Sequence, residues 1–321
     1  MPTAADFVHL HVHSEYSLLD GANRIADLVK HVKKHGMPAV ALTDHGVMFG
    51  VLEFYRAARK EGIQPIIGCE AYITPGSRAD RGAAVKRDTS HLLLLARSHQ
   101  GHINLGKLSS IGFTEGFYYK PRIDFEVLER HKEGLVGTSS CLAGLIPQAL
   151  MEGNHAKARD YTAKFVEILG RDHFFIELQD HGIREQRAII GELIQLAREF
   201  NLGTIATNDA HYLTRADAKV HDMILCVQTG AKLADQNRMR FDGSEFYVKT
   251  PAEMIKLFED LPEAITNTRL VAEMCAFEMP ERQYRLPKFP CPDGRTEDEH
   301  LRELVWEGVR RLYKDRAEND A

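Results

Sequence analysis

The chain has 321 residues, is 44% hydrophobic and 27% charged, and carries a formal net charge of −5. That length allows one large domain or two average ones, enough to bury a sizeable core. No apolar run approaches the ~20 residues that span a bilayer, and Met1–Phe7 lacks the basic and apolar regions of a signal peptide. A cytoplasmic protein is expected, one whose contacts with a polyanion are local or made through bound cations.

Taken in chain order, apolar runs alternate with amphipathic segments. Strands are expected at Phe7–His13, Ala39–Thr43, Pro65–Ile73, His91–Ala96, Leu135–Ser139, Phe174–Leu178 and Thr204–Thr207. Arg24–His35 places Ile25, Leu28, Val29 and Val32 at helical spacing, with Asn23 as the expected N-cap and Gly36 as the stop. Val51–Glu61, His155–Leu169 and Arg184–Phe200 are further helices, ending at Gly62, Gly170 and Asn201. Such alternation predicts an α/β fold with a parallel sheet and right-handed crossovers, and seven runs before residue 210 suit a closed barrel. Residues 74–90 are polar and Gly-rich and read as a mobile loop; residues 98–134, with GFYYKPRID, read as an insertion over one end of the barrel. After residue 250 two helices are expected within Pro251–Phe277. A proline-rich connector follows at Arg285–Gly294, then a helix at Thr296–Leu312 opened by a Thr296/Glu299 capping box.

The chemistry concentrates at strand ends. The first run reads His9-Leu10-His11-Val12-His13, so a period of two puts three imidazoles on one side. Inward imidazoles are costly to desolvate unless something binds them. Thr43-Asp44-His45 follows the second run, Glu70 lies near the end of the third, Cys141 follows the fifth, and Asp209-Ala210-His211 follows the seventh. Functional groups of parallel α/β folds collect where strands end, so a polynuclear metal site is expected there. His91 precedes its run, which places it at the opposite mouth in a parallel barrel; spacing alone leaves its role open. Of the five cysteines, none forms a CxxC pair, which indicates neither a disulfide framework nor a zinc ribbon. Cys69 should face away from Glu70 into the core. His9 should lie deeper than the site, and the histidines on helices and loops, His181 and His221 among them, should be solvated.

HLHVHSEYSLLDGA, ALTDHGVMFG, IIGCEAYI, SHLLLLA, TSSCLAG and ATNDAHY, in that order, resemble the PHP (polymerase and histidinol phosphatase) domain. The form they resemble is the one at the N-terminus of bacterial DNA polymerase III alpha subunits. The likeness runs from Phe7 to about residue 285 and includes FDGSEFYVKTPAEM. It implies a distorted (β/α)7 barrel with a helical C-terminal extension, and two domains: 1–285 as the PHP domain and 286–321 as a connector with the truncated start of the following (palm) region. It also implies a trinuclear centre held by His11, His13, Asp20, His45, Glu70, His91, Cys141, Asp209 and His211, which restores His91 to the set. Mixed nitrogen, oxygen and sulfur donors favour three zinc ions, with manganese or iron as alternatives.

The implied function is 3′–5′ exonuclease proofreading by metal-dependent hydrolysis, with DNA polymerase and nucleotidyltransferase activity in domains beyond this chain. A water activated by metal attacks the last phosphodiester of a single-stranded or frayed DNA 3′ end. His11, His13 and Asp209 are the expected catalytic residues, with Asp44 orienting an imidazole or accepting a proton. The expected DNA contacts are Lys107, Tyr118, Lys120 and Arg122, with Arg78 and Arg81 on the preceding loop. The expected partners are the DNA 3′ end, the rest of the alpha subunit and, through it, the replisome, with no membrane. Two alternatives stand beside this: a catalytically silent module stabilised by metal, and a small-molecule phosphoesterase.

Overall fold

Among the described residues, mostly short runs of β-branched, leucine and aromatic residues extend into eight strands: β1 (Ala39–Leu42), β2 (Gln64–Ile73), β3 (Ser90–Ala96), β4 (Phe117–Tyr118), β5 (Lys120–Ile123), β6 (Leu135–Thr138), β7 (Phe174–Leu178) and β8 (Thr204–Ala206). This is a computed structural model, which describes residues 2–82, 89–280 and 287–314. The chain divides into two units, Met1–Glu278 and Met279–Ala321. In the first, the strands form one curled sheet in the order β4-β5-β2-β3-β6-β7-β8, with β1 paired on β2.

The opening segment completes the curl. It is expected to be a regular strand, but it makes only isolated bridges, His9 with Val40 and Val12 with Ala210. Ala41 and Thr43 N–H groups donate to the His9 and Val12 carbonyls at 2.8 and 2.9 Å, and His13 N–H donates to the Ala210 carbonyl at 2.9 Å. The segment thereby ties β1 to the chain just beyond β8. With β1, β2, β3, β6, β7 and β8 it makes seven staves of a distorted α/β barrel.

The sheet is mixed, which corrects the parallel expectation. β3 runs antiparallel to both neighbours, pairing Gly68 with Leu95 on β2 and Leu93 with Thr138 on β6. The reason is local. No helix lies between Ile73 and Ser90 among the described residues, so no crossover carries the chain back, and antiparallel return is what remains. Residues 83–88 of that loop lie outside the described residues. Nor is the stretch 98–134 a separate insertion. The helix His99–Thr114, capped by Ser98, buries Leu105 and Leu108, and β5 extends the sheet by pairing with the end of β2.

Helices Ile25–Lys34, Val51–Glu61, His155–Leu169 and Arg184–Phe200 cover the sheet with the expected apolar stripes. Gly62 and Asn201 adopt the left-handed conformation that ends two of them. Asn23 is not an N-cap; its amide instead donates to the His13 and Ala210 carbonyls.

Period-two alternation sorts the inner faces by depth. Ile66 on β2, Leu95 on β3, Val136 on β6 and Phe175 on β7 share one buried cluster with Val8 and Leu10, and Val271 and Cys275 belong to it. Further along the same strand faces come Glu70, His91, Thr138 and Glu177. β3 makes the point in reverse: its reversed direction brings His91, at its start, to the polar end.

In the second unit the helix Glu297–Tyr313 opens with the expected Thr296/Glu299 capping box. Arg285 and Leu286 of the expected connector, and residues 315–321 of the expected palm start, fall outside the described residues. Among the described residues no helix is long and apolar enough to cross a membrane.

Candidate metal centre

The nine side chains that the family resemblance implies as ligands meet at one end of the barrel. Glu70 is their hub, fully buried. One carboxylate oxygen lies 3.3 Å from His11 Nε2, 3.0 Å from His91 Nδ1 and 3.5 Å from Cys141 Sγ. The other lies 2.8 Å from His45 Nδ1 and 3.5 Å from His13 Nε2. Asp209 Oδ1 stands 3.2 Å from His11 Nε2, 3.1 Å from His13 Nε2 and 3.6 Å from His211 Nδ1. Asp20 Oδ2 reaches His45 at 3.3 Å and His211 at 3.9 Å. His91, misplaced by simple barrel reasoning, is at the correct mouth because β3 is reversed.

Local backbone serves this convergence. Asp209 has φ 40° and Ser140 φ 62°, left-handed conformations that non-glycine residues hold only under constraint. Gly21 must lack a side chain, since a Cβ there would overlap the Ser14 carbonyl; that close turn carries Asp20 into the cluster.

The donors fit divalent cations. Seven buried atoms, His11 Nε2, His13 Nε2, Asp20 Oδ1, His45 Nδ1, Glu70 Oε2, Asp209 Oδ1 and His211 Nε2, have no hydrogen-bond partner. Several face one another at short range but off the line a hydrogen bond requires. Leaving such atoms unsatisfied costs about 1–3 kcal/mol each, and a cation satisfies many at once. Three trios have donor atoms mutually within 4.8 Å: His13–His45–His211, His11–His13–Glu70 and His45–Glu70–His91. Imidazole, carboxylate and thiol together suit first-row transition metals.

Electrostatics are extreme. Burial alone would lower His11 and His45, but carboxylates outweigh it and hold both imidazoles well above their ordinary value: Asp209, Glu177 and Glu70 for His11, Asp20 and Glu70 for His45. His13 is pushed down to about 3 by burial and by His45 and His211. Burial would raise Glu70, but His91, His11 and His45 hold its carboxyl well below the usual range. Burial, with Glu70 and Asp209, pushes the Cys141 thiol well up. A divalent cation reverses the balance, favouring neutral imidazole and thiolate.

A buried outer ring holds the donors, and sequence reasoning missed most of it. Glu177 accepts from His11 Nδ1 at 2.7 Å and is gripped by Thr138, Thr207 and Gln179. Its signal was visible as a lone acid inside the apolar run FFIEL. Ser140 donates to Glu70 at 2.7 Å. Asp44 stands one hydroxyl behind the donors: it accepts from Ser14 and from Ser17 Oγ, and Ser17 Oγ lies 2.9 Å from His13 Nδ1. His181 and His221 are buried, against expectation. His181 Nε2 bonds the Asn208 carbonyl at 2.9 Å while its ring stacks on Phe246, and His221 Nε2 bonds the Asp20 carbonyl at 2.7 Å. His9 bonds the Lys249 carbonyl at 2.8 Å, outside the cluster. Cys69 is buried beside the Asp44 carbonyl.

The expected DNA contacts separate. Arg122 is fully buried and donates to the carbonyls of Gly116, Arg78 and Asp80, so it is unavailable to a ligand. Arg78 is consumed by Glu115, Asp124 and Glu126, and Arg81 donates to the Arg78 and Glu115 carbonyls. The Arg81 and Arg122 guanidiniums each lie over the Tyr118 ring, 5.7 and 5.4 Å from its centroid. Lys107 is exposed midway along the helix His99–Thr114, near His131, and makes no contact with the donors. Only Lys120 reaches the site: its Nζ lies 5.0 Å over Tyr72, whose ring stacks on His45 and meets His91 edge-on.

Comparison with known proteins places these residues in a family. The PHP domain model matches residues 9–181. The chain is 44% identical to the DNA polymerase III subunit alpha of Thermus aquaticus, over 98% of this chain and 27% of that protein. It is also 44% identical to that of Borreliella burgdorferi, over 96% of this chain and 27% of that protein. It therefore spans about a quarter of the length of these curated relatives. Among solved structures, a two-domain protein from Bacteroides vulgatus containing a predicted PHP-like metal-dependent phosphoesterase is similar at 18% identity and TM-score 0.41. That match covers 66% of this chain and 55% of the other.

Proposed function

The chain belongs to the PHP-domain family, in the form carried by DNA polymerase III alpha subunits, and on that footing we propose that it hydrolyses phosphodiesters at a DNA 3′ end. The observation that carries the proposal is the set of seven buried, partnerless donor atoms on residues that converge from distant parts of the sequence. The proposed ligands are His11, His13, Asp20, His45, Glu70, His91, Cys141, Asp209 and His211. The proposed cations are three, with zinc favoured by the mixed donor set over manganese or iron.

Such ions supply Lewis acidity for a phosphoryl group and make water a nucleophile near neutral pH. The protein's own residues supply position. Glu177 fixes His11 through Nδ1, so that Nε2 faces the cluster. Ser17, backed by Asp44, lies against His13 Nδ1 and leaves Nε2 inward. Asp44 is thus a positioning residue. His45, His91 and Cys141 are the part-exposed members, which sets the entrance on their side. Lys120 stands there as the cation available to a substrate phosphate.

The proposed setting is proofreading in the cytoplasm within a polymerase subunit, whose remaining domains present the frayed primer. A 3′-labelled oligonucleotide with a mismatched end tests it. Wild type should release a labelled nucleoside monophosphate, and His11→Ala should abolish release. Cleavage unchanged in His11→Ala, or hydrolysis of a small phosphomonoester alone, defeats this reading.

A further inference from the structure

A cavity of about 480 Å³ opens beside His211 and is lined by Arg215, Lys219, Arg238, Arg240, Asp222 and Phe241, among others. It shares a wall with the donor cluster. The Phe241 ring meets His211 edge-on at 4.8 Å and His221 at 4.7 Å, and His221 in turn holds the Asp20 carbonyl.

Two of the four cations are already held in place. Arg238 grips Asp222 through both terminal nitrogens, at 2.5 and 2.6 Å, and Arg215 pairs with Glu245 at 2.8 Å. Lys219 and Arg240 are exposed and make no ion pair or hydrogen bond among the described residues. In a chain of net charge −5, this lining has four cations facing one lining carboxylate, Asp222.

We propose that this cavity binds the phosphate backbone of the nucleic-acid strand whose end reaches the donor cluster, with Lys219 and Arg240 as its contacts. The inference rests on the phosphodiesterase reading above and adds where the rest of the strand lies. Charge supports a polyanion. The shared wall with a cluster suited to phosphoester chemistry favours a nucleic acid over an acidic polypeptide. Held arginines beside free cations also suit repeated phosphates: Arg238 and Arg215 shape the pocket and set its field, while Lys219 and Arg240 can pair without breaking an internal bridge.

The test is fluorescence anisotropy of a labelled single-stranded oligonucleotide with chelator present, so that bound metal contributes nothing. Arg240→Ala and Lys219→Ala should each weaken binding several-fold at low salt and reduce the salt slope by about 0.7. Lys107→Ala removes an exposed cation that does not line the cavity and should leave both unchanged. Hydrolysis of bis(p-nitrophenyl) phosphate, too small to reach the cavity, should be the same in all variants.

Unchanged oligonucleotide affinity in Arg240→Ala and Lys219→Ala overturns the cavity proposal. So does an equal loss in Lys107→Ala, which would report net charge alone, or displacement by poly-glutamate as effective as by unlabelled oligonucleotide. Absence of diester hydrolysis from metal-loaded wild type would overturn the phosphodiesterase reading instead, leaving the binding result to be judged separately.

Discussion

The two ends of the barrel are built on the same strands and from opposite chemistry. At one end Ile66, Leu95, Val136 and Phe175 bury apolar surface with Val271 and Cys275. At the other, those strands present Glu70, His91, Thr138 and Glu177, and the seven partnerless atoms of the proposed ligands gather there. The apolar end contributes stability through burial and packing. The polar end gives some of it up, because desolvated imidazoles and carboxylates repay their burial only when something binds them. The comparison assigns stability to one end and chemistry to the other, and each assignment can be broken.

The largest expected effect is at the apolar end. Phe175→Ala should destabilise by about 3–5 kcal/mol while leaving metal content per folded molecule unchanged, as read by denaturant melts and metal analysis. A loss of metal with intact stability would erase the distinction. Next, chelation should lower stability by roughly 3–4 kcal/mol relative to protein at 100–1,000 times the dissociation constant of its metal. Glu70→Gln, which removes the hub, should make the melting temperature insensitive to chelator.

Acid should strike the polar end through His181. Burial holds its imidazole down at about 4, below the unfolded value near 6.5. Between those values the unfolded chain binds the extra proton, so stability falls as pH drops from 6.5 to 4 and levels off below. The loss is on the order of 3 kcal/mol. His181→Gln should flatten that part of the curve; an unchanged curve removes His181 from the account. The smallest effect is expected from Glu177→Gln, which keeps the shape but weakens the grip on His11. A fall of about 10–100-fold in metal affinity, with little change in apo stability, would mark Glu177 as a positioning residue.

Much of this was legible in the chain, for identifiable reasons. Helices announced themselves by stripes such as Ile25, Leu28, Val29 and Val32. Most donors announced themselves by sitting at strand ends, where polar residues have no packing reason to be; Asp20, in the LLDG turn, came only from the family resemblance. His91 was illegible from spacing because strand direction is a tertiary fact. The clue was the polar, Gly-rich composition of residues 74–90, which carries no apolar stripe for a crossover helix. Arg122 read as a surface cation because charge is normally solvated. Its burial depends on three carbonyls, from Gly116, Arg78 and Asp80, which no local pattern announces. His181 and His221 were hidden likewise, since their partners are backbone carbonyls at Asn208 and Asp20.

Metal analysis by mass spectrometry on purified wild type and Glu70→Gln addresses the centre most directly. More than one equivalent of a divalent transition metal should accompany each wild-type chain, and Glu70→Gln should lose most of it while remaining folded. A folded wild-type chain that neither carries nor takes up such ions at micromolar concentration would contradict the assignment of these nine residues.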